Sequence, residues 1–172
     1  MNPYINLAQK TIKEYLTNGG VFDTQKAPLV LQKKRAGCFV SLHRKSTQEL
    51  RGCIGTILPT CKNLAGEIIN NALSACKDPR FMPLAKEELN DLDIAVDVLD
   101  EPEPISSIKS LNPKKYGVIV KAKDGRTGLL LPDLEGIDEA TYQVAIARQK
   151  AGILPEEPVF LFRFTVKRHQ MD

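Results

Sequence analysis

Apolar and polar positions change period several times along the chain, and each change marks an element. Ile5, Ala8, Ile12, Tyr15 and Leu16 fall at helical spacing, Asn2 stands where an N-cap belongs and Pro3 at the first helical position. A first helix is therefore predicted up to Gly19-Gly20, which stop it. From Ala36 the period drops to two: Cys38, Val40 and Leu42 alternate with Phe39, Ser41 and His43, a strand pattern. A polar loop around Arg44 to Gln48 leads to a second strand from Glu49 to Ile57. Leu64, Ile68, Ala72 and Cys76 then recur every four residues, which predicts a helix laid on the sheet. Asp78 to Pro83 reads as a loop, a short helical piece lies near Glu87 to Leu89, and Ile94 to Leu99 reads as a strand.

The second half follows the same plan. Val118, Val120 and Ala122 alternate on a strand, Asp124-Gly125 reads as a two-residue hairpin turn, and Thr127, Leu129 and Leu131 alternate on the way back. A helix from about Asp138 to Ala151 is closed by Gly152, and Val159 to Arg168 supplies a last strand. Hairpin, helix and strand thus occur twice, over about 36–99 and 116–168, joined by an acidic, proline-bearing connector at 100–108. The fold class that follows is α+β: a single domain over 1–172 in which two similar repeats form one curved, mainly antiparallel, half-barrel-like sheet flanked by helices.

Composition narrows the function classes. With 42% hydrophobic and 26% charged residues in 172, the chain reads as an ordinary globular protein. No stretch approaches the roughly 20 apolar residues that span a bilayer, and Met1-Asn2-Pro3-Tyr4 lacks a signal-peptide layout, so a cytoplasmic protein with no membrane partner is expected. Cys38, Cys53, Cys61 and Cys76 form no C-x-x-C pair and only His43 and His169 could join them, so no metal site and no cofactor are expected, and the thiols read as free. A net charge of +3 leans only weakly toward anionic partners.

The run Arg51-Gly52-Cys53-Ile54-Gly55 looks most like chemistry, because a thiol next to positive charge and between glycines has the makings of a nucleophile. If Leu42 faces Leu50, Val40 faces Gly52 and Cys38 faces Ile54, the other face carries Phe39, Ser41, His43, Glu49, Arg51 and Cys53. In that register Arg51 sits beside Cys53 and favours its thiolate. A bulge at Gly52 would undo this, and Leu129, in the place of Cys53 if Gly128 corresponds to Gly52, speaks for a packing position. His43 and His169 read as solvated residues, His43 lying diagonally away from Cys53. Asp78-Pro79-Arg80-Phe81 follows a helix end: Asp78 as a loop cap and Phe81 as a core plug is one reading, Arg80 joining Arg51 on an anionic ligand the other. Basic residues at Lys33-Lys34-Arg35, Lys114-Lys115, Lys121, Lys123, Arg126 and Lys167-Arg168 read as solvated faces.

Taken in order, Leu50-Arg51-Gly52-Cys53-Ile54-Gly55, Asp78-Pro79-Arg80-Phe81, Gly128-Leu129-Leu130-Leu131-Pro132 and Lys150-Ala151-Gly152 resemble the AMMECR domain family, known in prokaryotes as protein A of the AmmeMemoRadiSam system. The resemblance covers nearly the whole chain. It implies an α+β fold with two strand-and-helix repeats, and a motif that lines a shared surface or cleft. It also implies partners acting in trans: a Memo-type protein and a radical-SAM protein.

Three functions follow as expectations. The first is an accessory or ligand-binding domain in which Arg51, Gly52, Gly55, Asp78, Arg80 and Phe81 recognise a small molecule or a protein segment, the amides around the glycines suiting a carboxylate or phosphate. The second is a cysteine-dependent enzyme with Cys53 as nucleophile and Arg51 as its activator. The third is a nucleic-acid-binding module, for which the aromatic stacking residues of RRM domains are missing around the motif.

Overall fold

The computed structural model describes residues 2–171, and the chain divides into two compact units. The first runs to Val98 and takes back the C-terminal segment from Lys167; the second is Leu99–Val166.

In the first unit, α1 (Pro3–Asn18) starts where Asn2 accepts the Tyr4 amide and ends where Gly19 turns left-handed at φ 67°. Its buried face is Ile5, Leu7, Ala8, Thr11 and Ile12. A short α2 (Leu29–Gln32) precedes β1 (Cys38–Arg44) and β2 (Leu50–Gly55). Then come α3 (Leu64–Ala75), capped by Asn63 on the Gly66 amide, a 3-10 turn at Lys86–Asp91, and β3 (Leu92–Leu99). Cys38, Val40 and Leu42 alternate into the core with Ile94, Val96, Ile68 and Ala72, and Phe39, Ser41 and His43 take the other face, half-buried.

The hairpin register differs from the one expected. Leu42 faces Gly52, Ser41 faces Cys53 and Phe39 faces Gly55, a shift of two residues that keeps the side chains from Gly52 to Gly55 on their expected faces. His43 then faces Leu50, so Arg51 is the extra residue of a bulge. The bulge falls one residue before Gly52.

The second unit holds β4 (Glu103–Ile105), β5 (Gly117–Ala122), β6 (Thr127–Leu130), α4 (Ala140–Lys150) and β7 (Val159–Phe164). Its hairpin has a three-residue loop instead of the expected two: Ala122 donates to Arg126, and Gly125, at φ 93°, ends a turn closed on the Ala122 carbonyl. Val118, Val120, Leu130, Val144 and Ala147 form its own core.

The α+β class stands, but the strands form two four-stranded sheets instead of one curved sheet. Their orders are β2-β1-β3-β8 and β4-β7-β5-β6, where β8 is Val166–Gln170. Each unit therefore has its hairpin, its helix, and a returning strand on the hairpin's first strand. The fourth strand of each is exchanged: β4 follows β3 in the chain but pairs with β7, and β8 follows β7 but lies beside β3. For this reason the predicted strand at Val159 to Arg168 is interrupted at Thr165, and the predicted connector contains β4.

Candidate functional site

The motif strand β2 is an edge, so the peptide groups it turns away from β1 need partners. At Cys53 the loop after α3 supplies them. The Cys53 amide donates to Asp78 Oδ2 at 2.9 Å, and Arg80 Nη2 donates to the Cys53 carbonyl at 3.1 Å. Arg80 also grips Asp78, with Nε at 3.0 Å from Oδ1 and Nη2 at 2.7 Å from Oδ2, and its own amide reaches Oδ1 at 3.1 Å. Asp78 is buried, yet these donors, Arg80 foremost, hold its carboxyl far below the usual carboxylate range. One strand residue is thus held at both ends by an ion pair.

Arg51 is committed elsewhere. It is 7% exposed, and its Nε and Nη2 donate to the two oxygens of Glu88 at 2.8 and 2.9 Å. Arg44 and the Ala85 amide complete the set on Glu88, at 2.8 and 2.9 Å. Arg51 above all, against the cost of burial, brings the Glu88 pKa down to about 2. Such a fork-to-fork pair fixes geometry as well as charge. The Phe81 ring lies under both guanidinium groups, 6.0 Å from Arg51 and 5.6 Å from Arg80.

Gly52 and Gly55 have steric reasons to be glycine. A Cβ on Gly52 would stand 2.4 Å from the Ala75 carbonyl at the end of α3, and one on Gly55 would stand 2.2 Å from the Phe39 ring. The expected role of the motif amides as an anion cradle changes accordingly: the Cys53 amide already holds a carboxylate, the chain's own Asp78.

Cys53 is half-buried on the polar face of the sheet, its Sγ 3.2 Å from Ser41 Oγ directly across the hairpin. Burial pushes the thiol above its ordinary value, and the Ser41 hydrogen bond and the charge of Arg80 offset this only in part. The expectation that Arg51 favours the thiolate is corrected here. The cation acting on the thiol is Arg80, because the bulge re-aims Arg51 toward Glu88. Cys38 and Cys76 are buried, their thiols pushed up to about 12 and about 11 chiefly by burial.

Three carboxylates of the first unit, and the burial of a histidine on its far strand β8, were not predicted from the sequence. Glu67 is 1% exposed on α3 and accepts from Thr56 Oγ1 at 2.5 Å, from the Thr60 amide and hydroxyl at 2.9 Å each, and from the Cys61 amide at 2.8 Å. Burial raises its pKa, but these donors outweigh burial and leave it lowered, so the loop after β2 is organised around one anion. A signal existed: Glu67 and Asn71 share the spacing of Leu64, Ile68, Ala72 and Ala75, which puts polar groups on the buried face. Asn71 donates to the Cys38 carbonyl at 3.0 Å. Glu88 had no such signal, since its partner Arg51 lies 37 residues away. Asp97 is buried opposite Phe39 and takes Arg168 Nε at 2.8 Å. His169, expected to be solvated, is buried instead: it stacks on Tyr4 at 3.7 Å between ring centroids, and its Nδ1 is 3.1 Å from the Asn2 side-chain amide.

Among the described residues no group of histidine, cysteine and carboxylate side chains is arranged to hold a metal ion, and no helix is long and apolar enough to cross a membrane.

The chain as a whole is similar to known proteins. A Thermotoga maritima protein is 50% identical over 98% of this chain and 98% of its own length. A Clostridium acetobutylicum protein is 45% identical over 98% of this chain but 36% of its own length, so the chain spans about a third of that relative. The crystal structure of an uncharacterized protein from Pyrococcus horikoshii matches with a TM-score of 0.85 at 30% identity, covering 96% of this chain and 88% of that one. The AMMECR1 family model matches residues 5–169, which include the braced motif strand and both sheets, and the chain belongs to the AMMECR1 family.

Proposed function

We propose that the chain is an accessory binding domain whose motif edge recognises a carboxylate, carried by a small molecule or by a segment of a partner protein. The observation that carries this reading is the state of Arg80. Its guanidinium is oriented by Asp78 and the Cys53 carbonyl, yet 58% of the side chain is exposed. A cation held in place before binding loses little freedom on binding. Met82, the next residue but one, is 81% exposed, which adds apolar area beside the charge.

Binding is favoured over catalysis because the Cys53 thiol is pushed up and its hydrogen-bond partner is a serine hydroxyl, not a base. The Clostridium relative, in which a similar chain is one third of a longer protein, supports an accessory role. Memo-type and radical-SAM proteins are the partners to try first, as the family resemblance implies, in a cytoplasmic setting.

The test uses malonate and an acidic hexapeptide as probes, read by amide chemical shifts. Saturable, salt-sensitive shifts at Cys53 and Gly55 that vanish in Arg80→Gln are expected. Shifts equal in wild type and Arg80→Gln, or none with either probe, reject the reading. Iodoacetamide labelling near neutral pH addresses the enzyme alternative: Cys53 should react no faster than an ordinary exposed cysteine.

A further inference from the structure

Among the described residues, six of the chain's eight arginines form an ion pair with a carboxylate: Arg44, Arg51, Arg80, Arg126, Arg163 and Arg168. Arg35 is exposed and donates to the Cys61 and Pro59 backbone carbonyls, each at 3.4 Å. Arg148 is different. It is half-buried on α4, and its Nη1 donates to the Leu154 carbonyl at 2.7 Å and to the Glu157 carbonyl at 2.9 Å. Those two bonds use both hydrogens of Nη1 and fix the plane of the guanidinium. Its Nε and Nη2 hydrogens have no partner among the described residues. That edge is the one with which Arg51 holds Glu88 and Arg168 holds Asp97.

Arg148 also lines a cavity of about 520 Å³ between α4 and the loop that follows it. The apolar part of the lining is Val144, Ala145, Ile153, Leu154 and Pro155, with Thr141 and Gln149 beside it, and Leu154 is 57% exposed although apolar. Glu157, an acid of that loop, is taken by Arg126 and the Leu154 amide. The lining therefore combines apolar side chains with an arginine whose Nε and Nη2 edge has no carboxylate among the described residues. Its volume suits a small molecule.

We infer that the α4 cavity of the second unit is a binding site for a small apolar monocarboxylate, whose chain lies along Ala145, Ile153 and Leu154 and whose carboxylate takes the Nε and Nη2 edge of Arg148. The site is separate from the motif edge and owes nothing to the reading proposed for it. Burial of the chain supplies most of the affinity, and the charge-assisted pair selects an acid over its alcohol.

The experiment titrates the full chain with octanoate, 1-octanol and acetate, read by amide chemical shifts and calorimetry. Octanoate should saturate and move the amides of Val144 to Gln149 and of Gly152 to Leu154, with 1-octanol and acetate each at least about tenfold weaker. Ala145 is exposed, so Ala145→Phe fills the cavity without touching the core and should weaken octanoate by about tenfold or more. Arg148→Lys keeps a charge but loses the planar edge, and should remove the preference for octanoate over 1-octanol while the thermal midpoint shows that the fold is retained. The inference is overturned if octanoate moves none of these amides, if 1-octanol binds as well as octanoate, or if Ala145→Phe leaves octanoate binding unchanged. It is equally overturned if a peptide ending in leucine saturates the cavity where octanoate does not, since the occupant is then a protein segment.

Discussion

The edge strands β2 and β6 occupy the same place in their two units, and what they share and do not share separates scaffold from chemistry. Both carry a glycine pressed on a helix: a Cβ on Gly52 would meet the Ala75 carbonyl at 2.4 Å, and one on Gly128 would overlap the Ala147 carbonyl. Both offer the carbonyl of the following residue to a cation that comes after the helix or ends it, Arg80 to Cys53 at 3.1 Å and Lys150 to Leu129 at 3.0 Å. Around these common parts only the first unit adds buried charge, since the Arg126 pairs beside β6 are more exposed. It has Cys53 where the second has buried Leu129, a buried Asp78 on the strand amide, and the Arg51 and Glu88 pair where β6 has exposed Thr127. The glycine and the cationic cap thus belong to the fold. The thiol and the two ion pairs are particular to the first unit, whose edge is the one proposed to bind a ligand.

The largest break in this comparison is expected from Glu88→Ala. It leaves the buried Arg51 guanidinium without its carboxylate and should cost about 3–5 kcal/mol in urea unfolding. The second unit has no matching variant, so a cost below about 1 kcal/mol would move the pair from the interior to the ordinary surface class. Acid tests the same pair. The pKa of Glu88 is about 2 in the folded protein, below its ordinary 4.5, so its contribution is complete above 4.5 and is lost as pH falls toward 2.

Next come Gly52→Ala and Gly128→Ala. Each drives a Cβ into a helix carbonyl that cannot swing aside, and each should cost about 1–3 kcal/mol by chemical denaturation. Similar losses in the two variants sharpen the equivalence of β2 and β6. A loss in one alone breaks it.

Arg80→Met and Lys150→Met compare the two caps. Removing Lys150 forfeits one hydrogen bond to a carbonyl, about 1 kcal/mol or less. Removing Arg80 also strips buried Asp78 of its main donor and should cost about 2 kcal/mol, its own exposure keeping the figure modest. Equal losses would mean that Asp78 adds nothing to the first edge.

The smallest effect concerns the exchanged strands. His169 on β8 has no aromatic counterpart in Glu103–Ile105 of β4. Burial, with help from Lys167 and Lys34 and against Asp97, holds its pKa below 6.5. The unfolded chain therefore takes up the proton first, so this contribution is whole above 6.5 and is lost as pH falls through the lowered folded value. His169→Phe keeps the stack on Tyr4 and should flatten the decline in urea midpoint between about pH 7 and pH 5.

Much of the first unit was legible in the chain. The cap and stop of α1, the alternation of β1 and the four-residue period of α3 are local signals, and each produced the element expected. Faces from Gly52 to Gly55 survived even where register did not, because a shift of two residues preserves alternation, but the bulge moved Leu50 and Arg51. The exchange of β4 and β8 was not legible, since a strand's pattern states that it pairs and not with what. Nor was the division of labour among the arginines. Arg51 looked like the activator of Cys53 because it lies two residues away in sequence, and Arg80, 27 residues away, is the one that touches that residue.

The sequence by itself determined the main elements, short α2 and β4 apart, the α+β class, the doubled plan and the family, because these rest on periodicity, caps and contiguous motifs. Tertiary structure decided which charges meet. A one-residue bulge sent Arg51 to Glu88, a loop after α3 brought Asp78 and Arg80 to the Cys53 backbone, and the return of β8 buried His169 against Tyr4. Pairings between groups far apart in the chain depend on how the packed elements bring them together, and no local pattern records that.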